Sequence, residues 1–101
     1  MTTASFGHGR ERAIKKLLED QGWWVMRAPA SLGYADLVAL KAGETPRLIE
    51  VKGNIGSPYK SFLPTDRMSL SLVAHLAGAR AQLAHWPKRG ELRWIEESEW
   101  P

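Results

Sequence analysis

Leu48-Ile49-Glu50-Val51-Lys52, read together with the upstream run Asp36-Leu37-Val38-Ala39-Leu40, decides how this 101-residue chain folds. Each run is short, apolar and rich in β-formers, and a charged residue stands at one end of it. Side chains alternate between faces along a strand, so Glu50 and Lys52 leave the same face while Val51 points to the other, and the pair stands roughly 6.6 Å apart along the chain. If Asp36 opens a neighbouring strand, two carboxylates converge beside one lysine. Hard divalent cations take such oxygen ligands, and phosphodiester hydrolysis can be built on them. An edge strand with a surface ion pair is the competing reading. Charges that adjoin apolar strands lose water, however, and that is costly unless a partner or a metal compensates.

Composition bounds the alternatives. The length fits one domain with a single core, here residues 1–101 with residues 1–7 expected to be mobile. The absence of cysteine excludes disulfides and thiolate metal sites and fits a reducing interior such as the cytoplasm. No apolar run approaches a membrane span, and residues 1–9 lack an apolar secretory segment. Net charge is +3, but Glu91, Glu96, Glu97 and Glu99 crowd the C-terminus, leaving 13 Lys+Arg against 7 Asp+Glu in residues 1–90. Such a surface suits a polyanion.

Residues 9–21 carry a helical pattern, with Ile14, Leu17 and Leu18 at core spacing and Gly22 as a stop. Glu11 shares the face of Ile14 and Leu18. Arg12, Lys15, Lys16 and Glu19 line the opposite, mostly basic face. Strands are expected at residues 23–28, 35–40 and 47–52, and a long loop at 53–64 carries Tyr59 and Lys60. Thr65 is the expected N-cap of a second helix over 65–77, packed through Met68, Leu72, Val73 and Leu76 and stopped by Gly78. Residues 79–86 can be read as helix or strand. Taken as a strand paired with a fifth at 91–96, they complete an α-β-β-β-α-β-β order: an α/β protein with a mixed sheet packed by helices. His8, His75 and His85 stand too far apart to suggest a metal-ligand spacing or a catalytic triad.

Arg10-Glu11-Arg12, Gly22-Trp23-Trp24-Val25-Met26-Arg27-Ala28, Ser31-Leu32-Gly33-Tyr34-Ala35-Asp36-Leu37-Val38-Ala39 and Leu48-Ile49-Glu50-Val51-Lys52 occur in this order. In these elements the chain resembles the PD-(D/E)xK nuclease superfamily. More narrowly, it is similar to the small archaeal-type Holliday junction resolvases, which also occur in phages. The resemblance implies a restriction-endonuclease-like core and a homodimer that resolves four-way DNA junctions by paired symmetric nicks. It also implies Mg²⁺ as cofactor, with Mn²⁺ as a substitute, held by Asp36, Glu50 and the Val51 carbonyl. Glu11 would join directly or through water, and Lys52 would activate the attacking water. Arg10, Arg12, Lys15, Lys16, Arg27, Ser31, Tyr59 and Lys60 are the candidate DNA contacts. Position 35 is Ala where the superfamily name has Pro, a residue without a chemical role. Another nuclease of the superfamily, nicking or repairing other DNA, and a non-catalytic DNA-binding module are the alternatives.

Overall fold

A computed structural model describes the backbone of residues 3–28 and 35–101 and the side chains of 9–28 and 35–101. Ser31 and the rest of the 29–34 connection lie outside the described residues, as do residues 1 and 2. The element order is the one expected: α1 (Thr3–Asp20), β1 (Trp24–Arg27), β2 (Leu37–Leu40), β3 (Arg47–Lys52), α2 (Pro64–Ala77), β4 (Arg80–His85) and β5 (Arg93–Glu96). Residues 79–86 thus resolve as strand. The helix α1 starts at Thr3 rather than near Gly9. Gly7 and Gly9 weaken a helix without forbidding it.

The five strands form one sheet in chain order. The β1–β2, β2–β3 and β4–β5 pairs are antiparallel, and β3–β4 is parallel, with α2 in the crossover. A parallel pair needs such a long connection, and this one explains why the chain leaves β3 through a loop. On one face, Ile14 and Leu18 of α1 pack over Val25, Leu37, Ala39, Ile49, Val51 and Ala84. On the other, Leu70 and Ala74 of α2 pack with Leu48, Phe62, Ala81, Leu83 and Ile95. Covered on both faces, β4 is buried at every position after Arg80.

Two expectations about α2 are corrected. Its packing face is Leu70, Val73 and Ala74, not the stripe led by Met68 and Leu72; Met68, Leu72 and Leu76 are 72%, 58% and 75% exposed. The helix is apolar on two sides, and the small Ala74 lets the backbone approach the sheet. Nor is Thr65 the N-cap. Pro64 opens the helix, where its missing N–H costs nothing, Leu63 is the cap residue, and Asp66 Oδ2 accepts from the Leu63 N–H at 3.1 Å. Gly22 and Gly78 stop the two helices with positive φ, as expected.

At the edge far from Lys52, Arg47 is 9% exposed and sandwiched between Trp23 and Trp94, its guanidinium carbon 4.9 and 4.7 Å from their ring centroids. Its Nε donates to Gln82 Oε1 at 2.5 Å. Burial pulls its pKa down, with Arg80 adding to the effect, and the two rings return part of the lost solvation. Trp23 is therefore structural, while Trp24, on the opposite face of β1, is 58% exposed.

Candidate active site

β2 ends its pairing with β3 at Leu37 and Ile49, so the last turn of β3 runs past its neighbour. Asp36 occupies the gap. Its backbone stays in the sheet, donating to Ile49 O at 2.8 Å and accepting from Ala28 N at 2.9 Å. Its side chain does what the missing strand would have done, with Oδ2 accepting from the Val51 N–H at 2.7 Å. Among the described residues, the second carboxylate oxygen has no hydrogen-bond partner. Because the N–H and C=O of one strand residue point the same way, the Val51 carbonyl emerges at the same gap.

Glu50 and Lys52 leave the α2 face of β3, as their alternation requires. Lys52 Nζ lies 3.1 Å from Glu50 Oε2, and both side chains are largely buried. Burial, then the neighbouring Asp36 charge, pushes the Glu50 carboxyl from its ordinary 4.5 up to about 7; Lys52 pulls the other way and Asp66 adds to the rise. Asp36 is raised too, chiefly by burial and also by Glu11, against the Val51 hydrogen bond and the charges of Lys52 and Arg27. Two carboxylates are thus packed together at a cost that a cation would remove.

Glu11 stands at the margin of this pair, its Oε1 3.3 Å from Arg27 Nε on β1. Among the described residues, no three His, Asp or Glu side chains gather closely enough to hold a metal by themselves. Asp36, Glu50 and the Val51 carbonyl nevertheless suit Mg²⁺, which ordinarily takes one or two carboxylates and completes its shell with water and substrate phosphate. Asp66 was missed by sequence reasoning. It reads as a helix-capping acid, and only the β3–α2 connection, which places the first turn of α2 beside Glu50, gives it a bearing on the site.

The remaining candidates sort by location. Arg10 stacks on Trp86 at 5.0 Å and donates to Pro87 O at 3.4 Å. Arg12 is exposed, while Lys15 and Lys16 make i, i+4 pairs with Glu19 and Asp20 at 2.7 and 3.3 Å. Pairs of this kind are weak and readily exchanged for phosphate. Tyr59 is half-buried in a 3₁₀ turn (Pro58–Lys60) under the Arg67 guanidinium, and Lys60 is exposed. His85 is buried at 5% exposure, its Nε2 2.8 Å from the Asn54 carbonyl, a structural role.

A family model described as archaeal Holliday junction resolvase (Hjc) matches residues 2–99. The chain belongs to the archaeal Holliday junction resolvase family. It is a nuclease by that membership, and the mixed sheet with its two helices is the family's fold. Among solved structures, Archaeoglobus fulgidus Hjc, a Holliday junction resolvase from an archaeal hyperthermophile, superposes with a TM-score of 0.74 at 25% identity, covering 91% of this chain and 73% of that one. No curated protein matches the chain. Among the described residues, no helix is long and apolar enough to cross a membrane.

Proposed function

We propose that this chain resolves four-way DNA junctions as a homodimer through Mg²⁺-dependent hydrolysis at Asp36, Glu50 and Lys52. The observation that carries the reading is the gap beside β3. Two half-buried carboxylates and a strand carbonyl meet there next to a lysine, in a family of junction resolvases. A divalent ion held by Asp36, Glu50 and the Val51 carbonyl would neutralise the phosphate and acidify water. Asp36 is held in place by the Val51 N–H it accepts. Glu50 is paired with Lys52; with Glu50 engaged by a cation, the lysine ammonium would be free to orient the attacking water and to donate to the phosphate oxygens. Glu11, anchored by Arg27, would take part through water. A labelled four-way junction, a flap and a linear duplex, each incubated with Mg²⁺ or EDTA, test the reading. Paired nicks in the junction alone, and only with Mg²⁺, are expected; equal cutting of all three would point to another nuclease of the superfamily.

The dimer has a candidate surface. Met68, Leu72 and Leu76 form one exposed ridge of α2 at i, i+4, i+8. Val25 faces the α1 side of β1, so Trp24 and Met26 point to the α2 side, at 58% and 44% exposure, with Leu40 opposite Trp24 in register. Such area is rare on a monomer, and two symmetric incisions need two sites related by a two-fold axis. Wild-type protein is expected to scatter light as a dimer at micromolar concentration. Leu72→Glu should give folded monomers that nick single strands without pairing the cuts. A dimeric Leu72→Glu variant would move the interface off α2.

Affinity should be electrostatic. Replacing Arg12, Lys15 and Lys16 together by Ala should flatten the log–log dependence of junction binding on salt by about two to three units and weaken duplex alike. An unchanged slope would shift the contact to Tyr59 and Lys60.

A further inference from the structure

The β4–β5 hairpin turns through Pro87-Lys88-Arg89-Gly90 at the end of the sheet that carries the site. His85, the last residue of β4, pairs in register with Lys52, and the Trp86 N–H donates to the Lys52 carbonyl at 2.8 Å. Arg10, one residue before Glu11 on α1, stacks on Trp86 and donates to the Pro87 carbonyl. The turn is thus braced against both the catalytic strand and the helix that bears Glu11. Its tip presents Lys88 and Arg89, both exposed and, among the described residues, without an ion-pair or hydrogen-bond partner.

Backbone geometry singles out Arg89. It is the only non-glycine among the described residues with positive φ, at 64°. That region strains any residue with a Cβ, and Gly or Asn is the ordinary occupant. Gly90 cannot trade places with it, because a Cβ at 90 would stand 2.6 Å from Pro87 Cγ and 3.3 Å from the Pro87 carbonyl oxygen. Glycine therefore sits where sterics demand it, and arginine stands where the backbone would be easier without a side chain. Strain held at an exposed, unpaired cation beside an active site points to a ligand.

We propose that Lys88 and Arg89 grip the phosphate backbone of a duplex arm of the junction, a contact separate from the phosphate that is cut. The inference rests on the resolvase reading for the identity of the DNA. Glu91, exposed next to the turn, opposes the contact, and Arg93 and Arg10 support it. Two cations so placed set the angle at which an arm leaves the site, as shape recognition requires.

The test is junction binding in Ca²⁺ over a salt series, with a short duplex measured alongside and thermal unfolding recorded for each variant. Arg89→Gly relieves the backbone, so its unfolding midpoint should equal or exceed that of wild type while its affinity falls. Lys88→Gln leaves the backbone untouched and should also bind more weakly. Together they should lower affinity about 10-fold near 0.1 M salt and reduce the log–log slope by about two. Glu91→Gln should tighten binding about two-fold, an effect of opposite sign that damage to the fold would not produce. Wild-type affinity and slope in the double variant would overturn the proposal. So would a loss confined to an Arg89→Gly protein with a lowered midpoint. If wild type bound duplex but neither bound nor cut junctions, the resolvase reading would fail, while the slope on duplex would still decide the hairpin contact.

Discussion

Asp36→Asn and Glu50→Gln are each expected to lower junction cleavage by about 10³-fold or more while leaving junction binding in Ca²⁺ within a few-fold of wild type, since on the proposed reading the lost charge would hold the ion and not the DNA. The same variants should be more stable than wild type without metal, and the pH dependence gives the sign. Glu50 in the folded protein titrates near 7, against 4.5 ordinarily. Between those values the folded state binds more protons than the unfolded one. The stability of the metal-free protein therefore falls as pH rises through that window, with no penalty below about 4.5 and the full penalty above about 7. Removing the carboxylate should recover on the order of 1–3 kcal/mol at pH 8 and little at pH 4.5. Unfolding in EDTA at the two pH values measures this. Added Mg²⁺ or Mn²⁺ should raise the midpoint of wild type at pH 8 and leave Glu50→Gln unmoved. A variant that cut at the parental rate, or that gained as much from metal as wild type, would place the ion elsewhere.

How much of this was legible in the sequence varies from element to element. β3 is legible with its observed bounds, because the β-formers Leu48, Ile49 and Val51 lie between Arg47 and Lys52, and Pro46 and Gly53 punctuate the segment. The pairing of Glu50 with Lys52 followed from strand alternation alone. The packing face of α2 was not legible, since Leu70-Val73-Ala74 and Met68-Leu72-Leu76 are both sound helical stripes and only the shape of the sheet chooses between them. The smaller Ala74 was the available clue. Asp66 was invisible for a related reason. A first-turn carboxylate is favoured by any helix, and what makes this one matter is the crossover that sets it near Glu50. The position of Asp36 could be guessed, but its use as a substitute strand partner for Val51 could not, because it depends on where β2 begins. Arg89 gave no signal at all: Lys-Arg-Gly reads as an ordinary polar turn until its φ is known.

Lys52→Ala should depress the single-turnover rate by about 10²-fold, with junction affinity nearly unchanged, if the ammonium acts on charge that develops only in the transition state. The same loss could arise indirectly. Lys52 is the cation nearest to Glu50 and holds its pKa down against burial and Asp36; without it Glu50 would keep its proton to higher pH and bind a metal more weakly. Metal concentration and pH separate the two routes. An indirect effect shrinks as Mn²⁺ approaches saturation and as pH is raised, since both favour the ionised, metal-holding form of Glu50. A direct effect persists under both conditions. Persistence is expected, because the ammonium is 3.1 Å from one Glu50 oxygen and would lose this partner as soon as that oxygen took a cation, leaving it beside the phosphate. Lys52→Arg should recover little, since a planar guanidinium cannot occupy the position of a compact ammonium on a short buried strand end. If Lys52→Ala instead bound junctions poorly and cut the bound ones at the wild-type rate, the lysine would be a DNA contact and the activation of water would have to come from another group.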